Sequence, residues 1–251
     1  MRTFVISLKR AAQRRAHMSG QLDRMGMPFE FFDAVDGAAL SEEQVRAVYD
    51  EERARQTFWG PLNRGEIGCA LSHIGVWRVI AEQRVPCALV LEDDALLDPA
   101  TPEILAALPR LMNPDDVVVL VKTNDNTFFF RQADLPAGRR LVYVNQPLYT
   151  ATGYALGSGA AARLIARALP LRAPIDFWYH DIGFKGITPI RAVYPELVSQ
   201  PSGDAMPSQI GGRERHLVQS SAPKERAFLR AAVRRFRLKV KNKFLNWPDR
   251  L

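Results

Sequence analysis

Apolar and polar positions fall in alternating blocks along the 251 residues, and each block predicts an element. "TFVISL" (3–8) reads as a short strand, and the polar stretch 9–26 as a helix that stops near Gly26. "PFEFFDAV" (28–35) predicts a second strand. Ser41 with Gln44 makes a capping box ahead of one charged surface helix running to about Gln56. In "GEIGCALSHIGVWRVIAEQ" the residues Ile67, Ala70, Leu71, Ile74, Trp77 and Ile80 recur at helical spacing, so this helix buries one face. Strands are then predicted at 87–91, 116–121, 140–144 and 152–157, with helices over 102–111 and from Ser158 to Leu169. Strands this apolar are covered on both faces, which predicts an α/β fold with a mainly parallel, Rossmann-like sheet flanked by helices.

Charge changes this picture only at one end. Residues 224–250 carry ten Lys and Arg against Glu225 and Asp249, a net +8, so of the chain's +7 the remainder holds −1. The basic character is therefore that of an appendage. Phe228, Leu229, Ala232, Val233, Phe236, Val240 and Phe244 approximate one stripe of a helix whose other positions are largely Arg and Lys, a pattern suited to an anionic membrane surface. Two domains are expected: a catalytic domain over 1–221 and a basic amphipathic helical tail over 222–251. Two cysteines, Cys69 and Cys87, are too few for a disulfide framework, no secretory signal pattern is apparent at the N-terminus, and no run reaches a membrane span. A cytoplasmic protein, peripheral on the cytoplasmic face of the inner membrane, is expected.

Chemistry concentrates where the strand "CALVL" ends on Glu92, Asp93 and Asp94. In open α/β sheets the binding crevice lies outside the carboxyl ends of the strands. Three adjacent carboxylates repel one another, so they are either hydrated or neutralised by a cation, and hard oxygen ligands favour Mg²⁺ or Mn²⁺ shared with substrate phosphates. Such a cation would stabilise the charge of a departing nucleoside diphosphate. Asp94 is the first choice of ligand and Asp93 the next, with Glu92 holding ribose or a bound water.

The segments "FVISLKRAAQRR", "FEFFDAVDG", "GEIGCALSHIGVW", "LVLEDDALL", "TGYALGSGAAARL", "APID" and "YPELVSQ" occur in the order and spacing of glycosyltransferase family 25, the lipooligosaccharide glycosyltransferases, which the chain resembles from about residue 3 to about 215. The resemblance implies a GT-A-like fold, a UDP-sugar donor, usually UDP-galactose, and inversion at the anomeric carbon. It also supports nucleotide contacts from Ser7 and Arg15, with Asp33, Asp36 and Gly37 beside the uracil or ribose.

The end of the first strand, Ser7 and Leu8, leads through Lys9, Arg10, Arg14 and Arg15 into a helix N-terminus, a natural seat for phosphates. Glu66, Ser72 and His73 are expected to line the donor pocket, with Cys69 in the core. Cys69 and His73 have a zinc-compatible spacing, but two ligands do not make a site. An inverting reaction requires a carboxylate base on the face opposite the leaving group; Asp176, which also matches an acid of the family, and Asp181 are the alternatives. Trp178 is the candidate acceptor platform, ahead of Trp59 and Trp77, and His180 is read as a surface or capping residue. The expected activity is transfer of a hexose from a UDP-sugar to a lipooligosaccharide, lipopolysaccharide or other glycan acceptor, with no nucleic-acid partner. The alternatives are a metal-dependent phosphoester hydrolase and a non-catalytic membrane- or nucleic-acid-binding protein acting through the tail.

Overall fold

The computed structural model describes residues 1–57, 60–121, 127–144, 151–177 and 190–201, the side chains of 127–132 and of Phe177 excepted. The chain divides after Glu214, and everything described belongs to the first unit. The tail over 222–251 lies outside the described residues, as do Trp59, Trp178, His180 and Asp181.

Ten strands are described: β1 (Arg2–Ser7), β2 (Glu30–Asp33), β3 (Ala88–Glu92), β4 (Leu96–Leu97), β5 (Val117–Val119), β6 (Thr127–Asp134), β7 (Arg140–Val144), β8 (Gly153–Leu156), β9 (Ile190–Tyr194) and β10 (Val198–Ser199). Eight of them form one sheet in the order β2-β1-β3-β8-β5-β9-β7-β6, and β4 pairs with β10 in a separate two-stranded sheet. β1 runs parallel to β2 and β3, and β5 parallel to β9, whereas β8 and β7 are antiparallel to their neighbours. Six of the eight strands therefore share a direction, and β8 and β7 reverse it. The two reversals separate otherwise parallel groups, so the sheet is mixed α/β and mainly parallel.

Six α-helices are described: α1 (Ala12–Arg24), α2 (Glu42–Val48), α3 (Glu51–Arg55), α4 (Arg64–Glu82), α5 (Thr101–Ala107) and α6 (Ser158–Ile165). α1 ends as its sequence requires: Gly26 takes φ +64°, and the N–H of Met27 reaches back to the carbonyl of Leu22 at 3.0 Å. The single helix expected after Ser41 is broken in two. Ser41 and Gln44 form the capping box of α2, but Asp50 leaves the helix to cap α3 through Arg53, while its N–H bonds the carbonyl of Leu171 at 2.9 Å. A tertiary backbone bond thus overrides local helix propensity. No strand is predicted between 121 and 140, yet this stretch holds β6, the outer partner of β7.

The core is one cluster around the sheet, in which Phe4, Leu89, Leu91, Ile74, Trp77, Tyr154 and Leu156 are almost wholly buried. α4 buries more than the predicted stripe. Its second face is made of small residues: Gly68 lies against the backbone of Val35 and Gly37, Ser72 bonds the N–H of Val35 at 2.9 Å, and Gly75 accommodates the ring of Phe32. Among the described residues no helix is long and apolar enough to cross a membrane.

Candidate active site

Because β1, β2 and β3 are parallel, their carboxyl ends bring Ser7, Asp33 and Glu92 to one edge of the sheet. After Glu92 the chain turns through Asp93 and Asp94, closed by the N–H of Ala95 on the carbonyl of Glu92 at 3.2 Å. Gln21 of α1 pins this turn from behind: its amide donates to the carbonyl of Ala95 at 2.9 Å and accepts from the N–H of Leu97 at 2.8 Å.

The acids have different environments. Asp93 is buried and satisfied, accepting from the hydroxyl of Ser7 at 2.7 Å and from Arg14 Nη1 at 2.6 Å. Arg14 therefore neutralises part of the acidic cluster from within the protein. Asp94 is 3.6 Å from the same guanidinium, and its Oδ1 is buried without a hydrogen-bond partner among the described residues. Burial, reinforced by the charge of Glu92, pushes the Asp94 carboxyl up to about 6 despite Arg14.

These residues floor a cavity of about 450 Å³ whose walls include Ser7, Leu8, Arg10 and Arg14 on one side and Asp36, Gly37, Ala38, Asn63, Arg64 and Gly65 on the other. The second wall is held by close backbone contact: a Cβ on Gly37 would lie 1.8 Å from the carbonyl oxygen of Arg64, and one on Gly68 would lie 2.6 Å from the nitrogen of Gly37. Asn63 caps α4, with the carboxylate of Glu66 returning a bond to the Asn63 N–H at 2.9 Å. Glu66 is thus committed to the helix N-terminus. Asp36 accepts from Arg10 at 3.1 Å.

Other residues expected to meet the nucleotide are placed differently. Arg15 lies outside the cavity lining. It donates to the carbonyls of Ser7 and Leu8 and to Asp33 at 2.6 Å, and stacks over the Phe31 ring, so it ties two strand ends together. Arg15 and, less strongly, Lys9 hold the Asp33 carboxyl below its ordinary range. Ser72 lines the cavity but spends its hydroxyl on Gly68 and Val35.

Beneath the cavity floor runs a buried chain of polar contacts. Trp77 Nε1 donates to the Tyr154 hydroxyl at 2.8 Å, His73 Nδ1 lies 2.8 Å from the same oxygen, and His73 Nε2 lies 3.2 Å from Glu92 Oε1. His73 is fully buried and outside the lining, whereas Cys69, expected in the core, is half-buried on the cavity wall, its sulfur 4.0 Å from Glu92 Oε1. The cause is helical phase: Cys69 lies between the large apolar stripe and the small-residue face of α4.

Asp176 joins the same sheet edge through two backbone links. Its Oδ1 accepts from the N–H of Ala151 at 2.9 Å, and the adjacent Thr152 carbonyl accepts from the N–H of Glu92, also at 2.9 Å. Asp176, Glu92, Asp94 and Glu66 all act electrostatically on Cys69, whose thiol is pushed well up, chiefly by burial.

The family model for glycosyltransferase family 25, described as an LPS biosynthesis protein, matches residues 1–179. The chain belongs to glycosyltransferase family 25. Similar proteins include the lacto-N-neotetraose biosynthesis glycosyltransferase LgtB of Neisseria meningitidis serogroup B, 27% identical over 214 residues that cover 80% of this chain and 75% of LgtB. Human procollagen galactosyltransferase 2 is 39% identical over 94 residues, 36% of this chain and 15% of that protein. A Haemophilus influenzae relative is 27% identical over 175 residues, covering 69% of this chain and 60% of its own length. The chain thus spans less than two thirds of two of these three relatives. Every described site residue, from Ser7 to Asp176, falls inside the family 25 segment, whereas Asp181 and the basic tail lie beyond it.

Two partnerships were not legible in the sequence. Tyr154 sits in a strand where an aromatic reads as core, and only its pairing opposite Val90 brings it under His73. Arg14 is one of four cations near the first helix, and only α1 packing selects it as the partner of Asp93.

Proposed function

We propose that the protein transfers a hexose, galactose first among the choices, from a UDP-sugar to a glycan acceptor with inversion at the anomeric carbon. Family membership supports a transferase using a nucleotide-sugar donor, and the names of LgtB and of procollagen galactosyltransferase 2 suggest galactose and a glycan or glycosylated acceptor. The observation that carries the reading is the orphaned Oδ1 of Asp94 at the floor of a cavity edged by Arg10, Arg14 and Arg64. A buried carboxylate oxygen without a partner among the described residues fits a hard divalent cation, and Asp94 would hold Mn²⁺ or Mg²⁺; Asp93, whose two oxygens are engaged by Ser7 and Arg14, would have to release one of them to join it. When bound, that ion supplies charge stabilisation for the departing diphosphate.

The remaining work falls to the protein's own groups. Arg10, with Asp36 steering it, and Arg14 place positive charge along the wall where a diphosphate would lie. The loop at Asp36–Ala38 and the start of α4 enclose the space for ribose and base. Asp176, fixed by the Ala151 N–H, takes the proton of the acceptor hydroxyl as its oxygen bonds to the anomeric carbon and the bond to the diphosphate oxygen breaks. Asp181 is the alternative base. The tail over 222–251 is proposed, on its sequence alone, to hold the enzyme on an anionic membrane surface where a lipid-linked acceptor is displayed.

A panel of UDP-sugars assayed with Mn²⁺, with and without glycan acceptors, tests the reading. Transfer from UDP-galactose with a β-linked product is expected. Release of free sugar or phosphate at equal rates with and without acceptor would replace transfer with hydrolysis.

A further inference from the structure

We propose that Cys69, His73 and Glu92 form a binding site for a borderline-soft divalent cation of the zinc class, with its open coordination position facing the cavity. The site is separate from the hard-cation position at Asp94, and the inference does not depend on the proposed activity.

One sulfur, one imidazole nitrogen and one carboxylate oxygen lie within 4.8 Å of one another, the only such trio found among the described residues. Their separations suit a shared ion. A tetrahedral zinc with ordinary bond lengths holds its nitrogen and oxygen ligands roughly 3.3 Å apart and its sulfur and oxygen ligands roughly 3.6 Å apart. Here His73 Nε2 and Glu92 Oε1 are 3.2 Å apart, and Cys69 Sγ and Glu92 Oε1 are 4.0 Å apart. The thiolate, imidazole and carboxylate set is also one that zinc prefers over magnesium or calcium.

The supporting groups are in place. Cys69 and His73 stand one turn apart on α4, and Glu92 is fixed at the end of β3 by its N–H on Thr152. An imidazole bound to metal through Nε2 carries its proton on Nδ1, and His73 Nδ1 lies 2.8 Å from the Tyr154 oxygen. That phenol oxygen has two lone pairs, enough to accept both the His73 proton and the Trp77 N–H. With the ion bound, that tautomer would leave Nε2 free on the side that faces Glu92. Glu92, Asp176, Asp94 and Glu66 make the surroundings of Cys69 anionic, which favours a cation. Both Cys69 and Glu92 border the cavity, so a three-ligand ion would present its fourth position to solvent or to a bound substrate.

Co²⁺ is the probe, added to the full chain after chelator treatment. A thiolate-to-cobalt charge-transfer absorption at one equivalent, displaced by Zn²⁺, is expected, and it should vanish in Cys69→Ser and persist in Cys87→Ser. Glu92→Gln should weaken binding roughly 100-fold and Tyr154→Phe on the order of tenfold, the size of a lost outer partner of a metal-bound histidine. A measurement without variants runs beside it: Zn²⁺ should slow alkylation of Cys69 at least about tenfold, because a metal-bound thiolate is withheld from the reagent. Absence of the charge-transfer band in the wild-type protein, its survival in Cys69→Ser, or alkylation of Cys69 indifferent to Zn²⁺ would overturn the site.

Discussion

Arg14 Nη1 stands 2.6 Å from Asp93 Oδ1 in an ion pair of which 12% of one side chain and 9% of the other remains exposed. Removing the cation would leave a buried carboxylate with, among the described residues, only the Ser7 hydroxyl to hold it. Arg14→Met is therefore expected to cost about 3–5 kcal/mol of stability, the penalty for stranding one partner of a buried pair. Urea unfolding measures it; a change below about 1 kcal/mol would mean that solvent or a neighbouring group takes over the role of Arg14.

Asp94 should oppose stability while serving function. Its carboxyl is raised from 3.8 to about 6 in the folded protein, so between those values the native state holds the proton more tightly than the unfolded chain. Stability of the metal-free protein is then expected to fall as pH rises from about 4 to about 6, by on the order of 2–3 kcal/mol from this group. Asp94→Asn should flatten that slope, gain stability at neutral pH and lose transfer. A variant that keeps wild-type transfer and unchanged Mn²⁺ dependence would remove Asp94 from the site.

Asp176→Asn keeps the oxygen that accepts from the Ala151 N–H, so the fold should survive. Turnover is expected to drop by a factor on the order of 100 or more through loss of the base, with UDP affinity little changed. Weakened UDP and metal binding would instead make Asp176 a ligand, and unchanged turnover would shift the role to Asp181.

Tyr154→Phe deletes one oxygen and affects two buried nitrogens, His73 Nδ1 and Trp77 Nε1. A loss of about 1–3 kcal/mol is expected from leaving such groups unsatisfied, read as a lower urea midpoint at constant slope. Retention of full stability would show that a water replaces the phenol oxygen.

The tail prediction concerns lipid. Sedimentation with anionic vesicles that weakens with salt, is absent with neutral vesicles, and is sharply reduced by Phe236→Asp or by deletion of residues 222–251 is expected, with transfer to a soluble acceptor retained. Equal binding to both vesicle types, or to neither, would refute it.

What the sequence made legible follows from how local each signal is. Gly26 ends α1 and Ser41 begins α2 through chemistry within one turn of chain, and the apolar block before Glu92 announces both a buried strand and the acids at its end. The partners of those acids are set by packing. Ser7 reaches Asp93 because β1 and β3 are parallel in one register, which pairs Ile6 with Glu92; no spacing along the chain encodes this. Likewise, α4 displays its apolar stripe in the sequence, whereas its second face, Gly68, Ser72 and Gly75, is recognisable only from the loop and ring that lie against it.

The contact of Gly37 with the Arg64 carbonyl and of Gly68 with the Gly37 nitrogen has a bearing on redesign. Loop and helix meet backbone to backbone, so neither can be displaced to enlarge the chamber without separating both. Altered donor preference should be sought by exchanging Ala34 or Ala38, which line the chamber, because a methyl group at either glycine would jam the wall rather than reshape it.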